Sequence, residues 1–149
     1  MYTDSLAQMR RYFESGITRT YAFRKQQLLA LKKSIESHEE EIYQALFADL
    51  KKSKEEAYAS ENGFTLAELS ETLKHLKEWM APEPVSTNLF NLPSRSYIRR
   101  EPMGVVLIIA PWNYPFQLLF TPLIGAIAAE IGRAHVWTPV TPISRMPSS

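Results

Sequence analysis

Apolar positions recur every three or four residues through the first half of the chain, and the pattern changes character after residue 83. Leu6, Met9 and Phe13 share one face of a helix that Thr3 or Asp4 can cap and that ends near Gly16, with the stem of Arg10 at its margin. Leu28, Leu31 and Ile35 mark a second helix over about 22–37. A third, about 38–50, is expected to bury Ile42, Ala45, Leu46 and Leu50, and carries Glu39, Glu40 and Glu41 in its first turn, where negative charge suits the helix dipole. Leu66, Leu69, Leu73 and Leu76 belong to a fourth, about 55–79, which Pro82 and Pro84 stop. From Val85 to Arg100 the periodicity lapses, and the pattern predicts a linker followed by a strand at 96–99.

Residues 104–129 are 26 positions without a charged side chain, long enough to cross a membrane on hydropathy alone. Pro111, Pro115 and Pro122 interrupt the stretch, and Asn113 and Gln117 sit inside it. A proline in a helix interior removes a hydrogen bond and clashes with the preceding turn. A three-part parse follows. Val105–Ala110 is a strand suited to burial on both faces in a parallel sheet. Residues 111–115 are a turn, and Phe116–Ala129 is a helix that packs back, with Gly125 allowing close approach. Strand, turn and helix in that order open an α/β unit.

Composition and charge narrow the function classes. The chain is 45% hydrophobic and 22% charged, as expected of a globular protein. Seventeen basic and 16 acidic residues leave a net charge of +1, which gives no pull toward nucleic acid. Residues 1–83 are net −2 (12 basic, 14 acidic) and residues 84–149 net +3 (5 basic, 2 acidic), so charge marks the same boundary as periodicity. There are no cysteines, which excludes disulfides, thiolate metal sites and cysteine nucleophiles within these residues. The first thirteen residues hold no uninterrupted apolar run, so the expected location is cytoplasmic. His38 and His75 lack a ligand pattern and are expected at the surface, with no metal site. Lys51, Lys52 and Lys54 are expected to form a solvated helix end.

Asn113 is the residue whose position carries chemistry. It falls three residues past the predicted strand, and open α/β sheets bind ligands at the carboxyl ends of their strands. Its amide offers two N–H donors and keeps its protons near neutral pH. Aimed at a carbonyl oxygen, it can stabilise a developing oxyanion. The competing role, a turn asparagine bonded to its own backbone, is the commoner one on spacing alone.

The run from Glu101 to Phe116, with Pro111-Trp112-Asn113-Tyr114-Pro115-Phe116 at its end, closely resembles the aldehyde dehydrogenase superfamily, and Pro122-Leu123-Ile124-Gly125-Ala126-Ile127-Ala128-Ala129 continues the resemblance. Arg19-Thr20, Arg24-Lys25-Gln26-Gln27-Leu28, Leu46 to Leu50 followed by Lys51-Lys52, and Glu78-Trp79-Met80 are similar to the class 3 branch. The resemblance covers about residues 1–129. It implies an enzyme that oxidises aldehydes to carboxylic acids with NAD or NADP. A cysteine attacks the aldehyde, hydride passes to the nicotinamide, and water releases the acid. Asn113 matches the catalytic asparagine that holds the oxyanion. Pro111 and Trp112 match cofactor-binding positions beside the nicotinamide. The implied fold is α/β: an N-terminal helical segment (1–83), a linker with an oligomerisation-type strand (84–101), and the start of a Rossmann-like NAD(P)-binding domain (102–129). A homodimer is implied for the full-length enzyme.

Past Ala129 the family's Gly-Asn, second strand and Lys-Pro-Ser do not follow. Glu130-Ile131-Gly132-Arg133-Ala134-His135-Val136 reads like a translated sequencing-library adapter, and Ser144-Arg145-Met146-Pro147-Ser148-Ser149 like a later part of it in the same frame. The nucleotide sequence over these codons decides that origin. Residues 130–149 are therefore expected to be a non-native, unstructured tail, leaving the strand at 105–110 without a following partner and the chain exposed to aggregation. On this view the chain is an inactive N-terminal part of the enzyme. The alternatives are a non-catalytic helical interaction module built on residues 1–83, and a small protein anchored in a membrane through 104–129, which the internal prolines oppose.

Overall fold

The computed structural model describes residues 2–130 and 134–137. Helix α1 (Tyr2–Glu14) ends before Gly16, whose φ of 72° turns the chain into a short 3-10 segment at Ile17–Arg19. The Thr20 hydroxyl then accepts the Phe23 N–H at 3.2 Å and caps α2 (Tyr21–Ser37). Helix α3 (Glu39–Leu50) closes at Lys51, a left-handed residue with φ 57° whose N–H donates to the Phe47 carbonyl. The Ser53 hydroxyl caps α4 (Lys54–Ala57). A π-helical turn at Tyr58–Asn62 leads without a break into α5 (Gly63–Trp79). The predicted helix over 55–79 is thus continuous but has one widened turn. Gly63 permits it: a Cβ there would lie 2.6 Å from the Tyr58 carbonyl oxygen, which the Gly63 N–H binds.

Three helices meet in the main core. Leu28 and Ile35 of α2, Leu69 and Leu76 of α5, and Ile124 of α6 (Pro115–Ala128) are all buried against one another. Full burial of such a side chain is worth roughly 1.5–3 kcal/mol. A smaller cluster joins Tyr43 and Leu46 of α3 to Ala57 of α4. Of the positions expected to be buried on α3, Ala45 and Leu50 are exposed, because α3 turns Tyr43 and Leu46 toward Ala57 instead. Among the described side chains of α1 only Met9 is buried, and Leu6 faces solvent.

Two small sheets follow. Strand β1 (Glu83–Val85) pairs antiparallel with β2 (Ser96–Ile98), Pro84 opposite Tyr97. The β1 residues stand at the end of the predicted stop signal and the start of the predicted linker. Pro84 lacks an N–H to donate, and a proline is tolerated in a two-stranded ribbon. Strand β3 (Val106–Ile109) pairs in parallel with β4 (Ala134–Trp137), Val106 opposite Ala134 and Ile109 opposite Trp137. This corrects the expectation that β3 lacks a following strand and that the tail is unstructured throughout: backbone at 134–137 satisfies β3 along one edge. The remainder of the expected tail, 131–133 and 138–149, lies outside the described residues.

Two further expectations are corrected around β3. Ile108 and Ala110 are buried, but Leu107 and Ile109 are exposed, since α6 covers a single face of the strand. Gly125 of α6 has nothing within 4 Å of a Cβ added there, so no neighbour approaches it closely among the described residues. The uncharged stretch divides into strand, turn and helix as predicted, and no described helix is long and apolar enough to cross a membrane.

Candidate functional site

The turn between β3 and α6 displays Pro111, Trp112 and Asn113 together, all three exposed. They stand at the carboxyl end of β3, the edge at which a parallel α/β sheet takes its ligands. Among the described residues the Asn113 side-chain amide makes no hydrogen bond, so it is not spent on its own backbone as a turn asparagine would be. What is held is its carbonyl oxygen, which accepts from Lys52 Nζ at 3.0 Å.

Lys52 corrects the expectation of a solvated helix end. Lys51 and Lys54 are exposed, but Lys52 is buried, because the left-handed Lys51 turns the chain inward at the end of α3. Its ammonium lies 4.0 Å from the centre of the Tyr114 ring and 2.5 Å from Glu61 Oε1. A cation over an aromatic face contributes about 0.5–2 kcal/mol, the more when water is excluded.

Glu61 is fully buried. Its other oxygen, Oε2, accepts the N–H groups of Phe116 at 3.0 Å and Gln117 at 2.9 Å. These are among the first amides of α6, which have no partner within their own helix. A carboxylate from a different helix therefore caps α6 where its dipole favours negative charge. Glu61 comes from the π turn, and the Thr65 hydroxyl donates to its carbonyl at 2.8 Å. Sequence reasoning missed Lys52 and Glu61. For Glu61 a signal existed: Ala57, Glu61, Thr65, Leu69, Thr72 and Leu76 form one buried row at spacings of three or four, with a carboxylate in it. For Lys52 no comparable signal exists.

A second buried charge sits at the far end of α6. Arg24 donates to the carbonyls of Thr18 (3.2 Å), Arg19 (3.1 Å) and Ala128 (3.0 Å), and pairs with the Glu130 carboxylate. Burial holds the Arg24 pKa below its ordinary value, with Glu130 opposing. Beside this pair opens a cleft of about 630 Å³ lined in part by Arg99, Arg100 and Met103. Pro111, Trp112 and Asn113 do not line it, so the displayed amide and the cavity lie at opposite ends of α6. Among the described residues no group of three metal-binding side chains exists. His38 is exposed, and the half-buried His75 stacks on Trp79.

The turn thus offers an amide that is unengaged among the described residues, on a backbone clamped from beneath. Comparison with known proteins gives this arrangement a setting. The model of the aldehyde dehydrogenase family matches residues 3–144, past the Ala129 at which the sequence resemblance was expected to stop. The 4,4'-diaponeurosporen-aldehyde dehydrogenase of Staphylococcus aureus is 52% identical over 118 residues, which are 79% of this chain and 26% of that protein. Aldehyde dehydrogenase family 3 member B3 of Mus musculus is 44% identical over 128 residues, 86% of this chain and 27% of the relative. A substrate-bound Staphylococcus aureus AldH structure superposes with a TM-score of 0.88 at 46% identity, over 91% of this chain and 30% of that one. Aldehyde dehydrogenase 21 of Physcomitrella patens, solved with the reaction product succinate, shares the fold at TM-score 0.67 and 20% identity, over 77% of this chain and 24% of its own. The chain spans about a quarter of the length of the curated relatives it matches.

Proposed function

The chain belongs to the aldehyde dehydrogenase family, and from that premise we propose that it is the N-terminal part of an NAD(P)-dependent enzyme that oxidises aldehydes to carboxylic acids. One observation carries the reading: an asparagine amide without a hydrogen bond among the described residues stands exposed at the carboxyl end of β3, on a turn held by buried charges. Such a donor is suited to an oxygen that gains negative charge in the transition state. Asn113 has that role, and an aldehyde oxygen is its ligand.

Pro111 and Trp112 are the cofactor-binding residues. They are exposed at the same strand end, where a parallel α/β sheet takes its ligands, so the site fits the group. When bound, NAD or NADP supplies the hydride acceptor. These 149 residues contain no cysteine, so the nucleophile comes from elsewhere in the protein and this chain alone is inactive. The complete enzyme acts in the cytoplasm as a homodimer.

The test is aldehyde-dependent reduction of NAD or NADP by the complete protein carrying this chain, compared with its Asn113→Ala variant. Turnover is expected, with kcat about a hundredfold lower in the variant. Absence of turnover with both nucleotides across short, long-chain and aromatic aldehydes overturns the reading, as does an Asn113→Ala variant with undiminished kcat.

A further inference from the structure

We propose that Lys52 and Glu61 are positioning residues that fix the direction of the Asn113 side-chain amide by clamping its backbone carbonyl and the backbone just after it. The proposal deepens the role given to Asn113 above and rests on it.

The geometry is specific to the turn. Lys52 Nζ holds the Asn113 carbonyl at 3.0 Å and sits over the ring of the next residue, Tyr114. Glu61 Oε2 holds the amides of Phe116 and Gln117. The peptide between Asn113 and Tyr114 is planar, so anchoring its oxygen and the backbone just beyond it fixes that plane. The Cα–Cβ bond of Asn113 is then aimed from a fixed base. Lys52 and Glu61 are bound to each other at 2.5 Å, which makes the two anchors one unit. Their side chains are 8% and 0% exposed, so they act on the turn from beneath it. A buried pair of this kind is a poor source of net stability compared with apolar packing, and besides capping α6 it specifies the geometry of the turn. A displacement of about 1 Å at a catalytic group can cost about a hundredfold in rate.

The experiment is a double-mutant cycle in the complete protein, reading kcat and aldehyde KM for Lys52→Met, Glu61→Ala, Glu61→Gln, Asn113→Ala and their combinations. Lys52→Met and Glu61→Ala are each expected to lower kcat about tenfold or more, with aldehyde KM changed less than about threefold, because the amide acts on the transition state. Glu61→Gln keeps acceptors for the two amides and is expected to recover part of that loss. In the Asn113→Ala background the same changes are expected to cost less than about twofold. Equal losses in both backgrounds show a pair that serves stability alone and overturn the proposal. A second arm needs no turnover. In 15N-labelled protein, Lys52→Met and Glu61→Gln are expected to shift the Asn113 side-chain amide resonances and speed exchange of the Phe116 and Gln117 amides. Unmoved Asn113 resonances in both folded variants overturn the positioning role, whereas a wild type without dehydrogenase activity overturns the functional reading alone.

Discussion

Glu61 and Phe116 are 55 positions apart, yet the carboxylate of the first accepts the backbone N–H of the second at 3.0 Å. One side chain thereby joins the π turn ahead of α5, the buried ammonium of Lys52 and the start of α6. Removing it leaves Lys52 buried without its counter-charge and two helix amides without an acceptor. Loss of one partner of a buried pair costs about 3–5 kcal/mol. Glu61→Ala is expected to lower stability by that amount, and Glu61→Gln by less, in urea unfolding followed by circular dichroism. Equal midpoints for wild type and Glu61→Ala would show that the pair carries no weight.

Gly63 and Gly125 both lie in helices but should respond oppositely to alanine. At Gly63 the new methyl would press on the Tyr58 carbonyl oxygen at 2.6 Å and on its ring at 3.0 Å, closing the widened turn. Overpacking of this kind costs about 1–3 kcal/mol. At Gly125 the methyl meets nothing within 4 Å, and alanine's higher helix propensity should stabilise by up to about 1 kcal/mol. Thermal melts of the two single variants check the opposite signs.

Tyr43 sets a limit on the alkaline side. Burial raises its pKa above 10.0, and the Glu39 carboxylate that its hydroxyl donates to pushes the same way. With a folded pKa above the unfolded one, the stabilisation is complete below about pH 10 and is lost as pH rises through the folded value. Stability measured between pH 9 and 12 should therefore fall more steeply in the wild type than in Tyr43→Phe. Parallel curves would remove Tyr43 from the account.

Arg24 pins the last turn of α6 through the Ala128 carbonyl while neutralising Glu130. Lysine cannot reproduce a planar fork that serves three carbonyls and a carboxylate. Arg24→Lys is expected to destabilise by about 2–3 kcal/mol, and Arg24→Met by at least as much. Amide exchange at Ala129 and Glu130 should rise before that of the α5 core, and a uniform rise would point to global unfolding instead.

The helices were legible in the sequence because their apolar rows repeat at helical spacing: Leu28 and Ile35, or Leu69 and Leu76, need only a partner to bury them. The strand–turn–helix at 106–128 was legible because Pro111 and Pro115 break the apolar run at the turn, although Pro122, also read as an interruption, lies inside α6. The place of Asn113 past the strand was legible from spacing, whereas the lack of a side-chain hydrogen bond among the described residues was not, since spacing alone favoured a turn asparagine. Lys52 was illegible for a physical reason: its burial depends on the left-handed turn at Lys51, and lysine runs give no sign of which member turns inward. β4 was hidden by the foreign look of the residues after Ala129, although a parallel pairing asks only for extended backbone opposite β3.

The long separation between Glu61 and the amides it caps has a consequence for the order of folding. Closing a loop of some fifty residues is opposed by chain entropy, so this contact cannot nucleate structure and must follow the local helices. The N-terminal helices leave the ribosome first, and α5 presents its carboxylate before α6 has been synthesised. The strand–turn–helix then docks on a surface already assembled. A chain interrupted before residue 115 retains Glu61 and Lys52 as a paired receptor whose intended guest has yet to arrive.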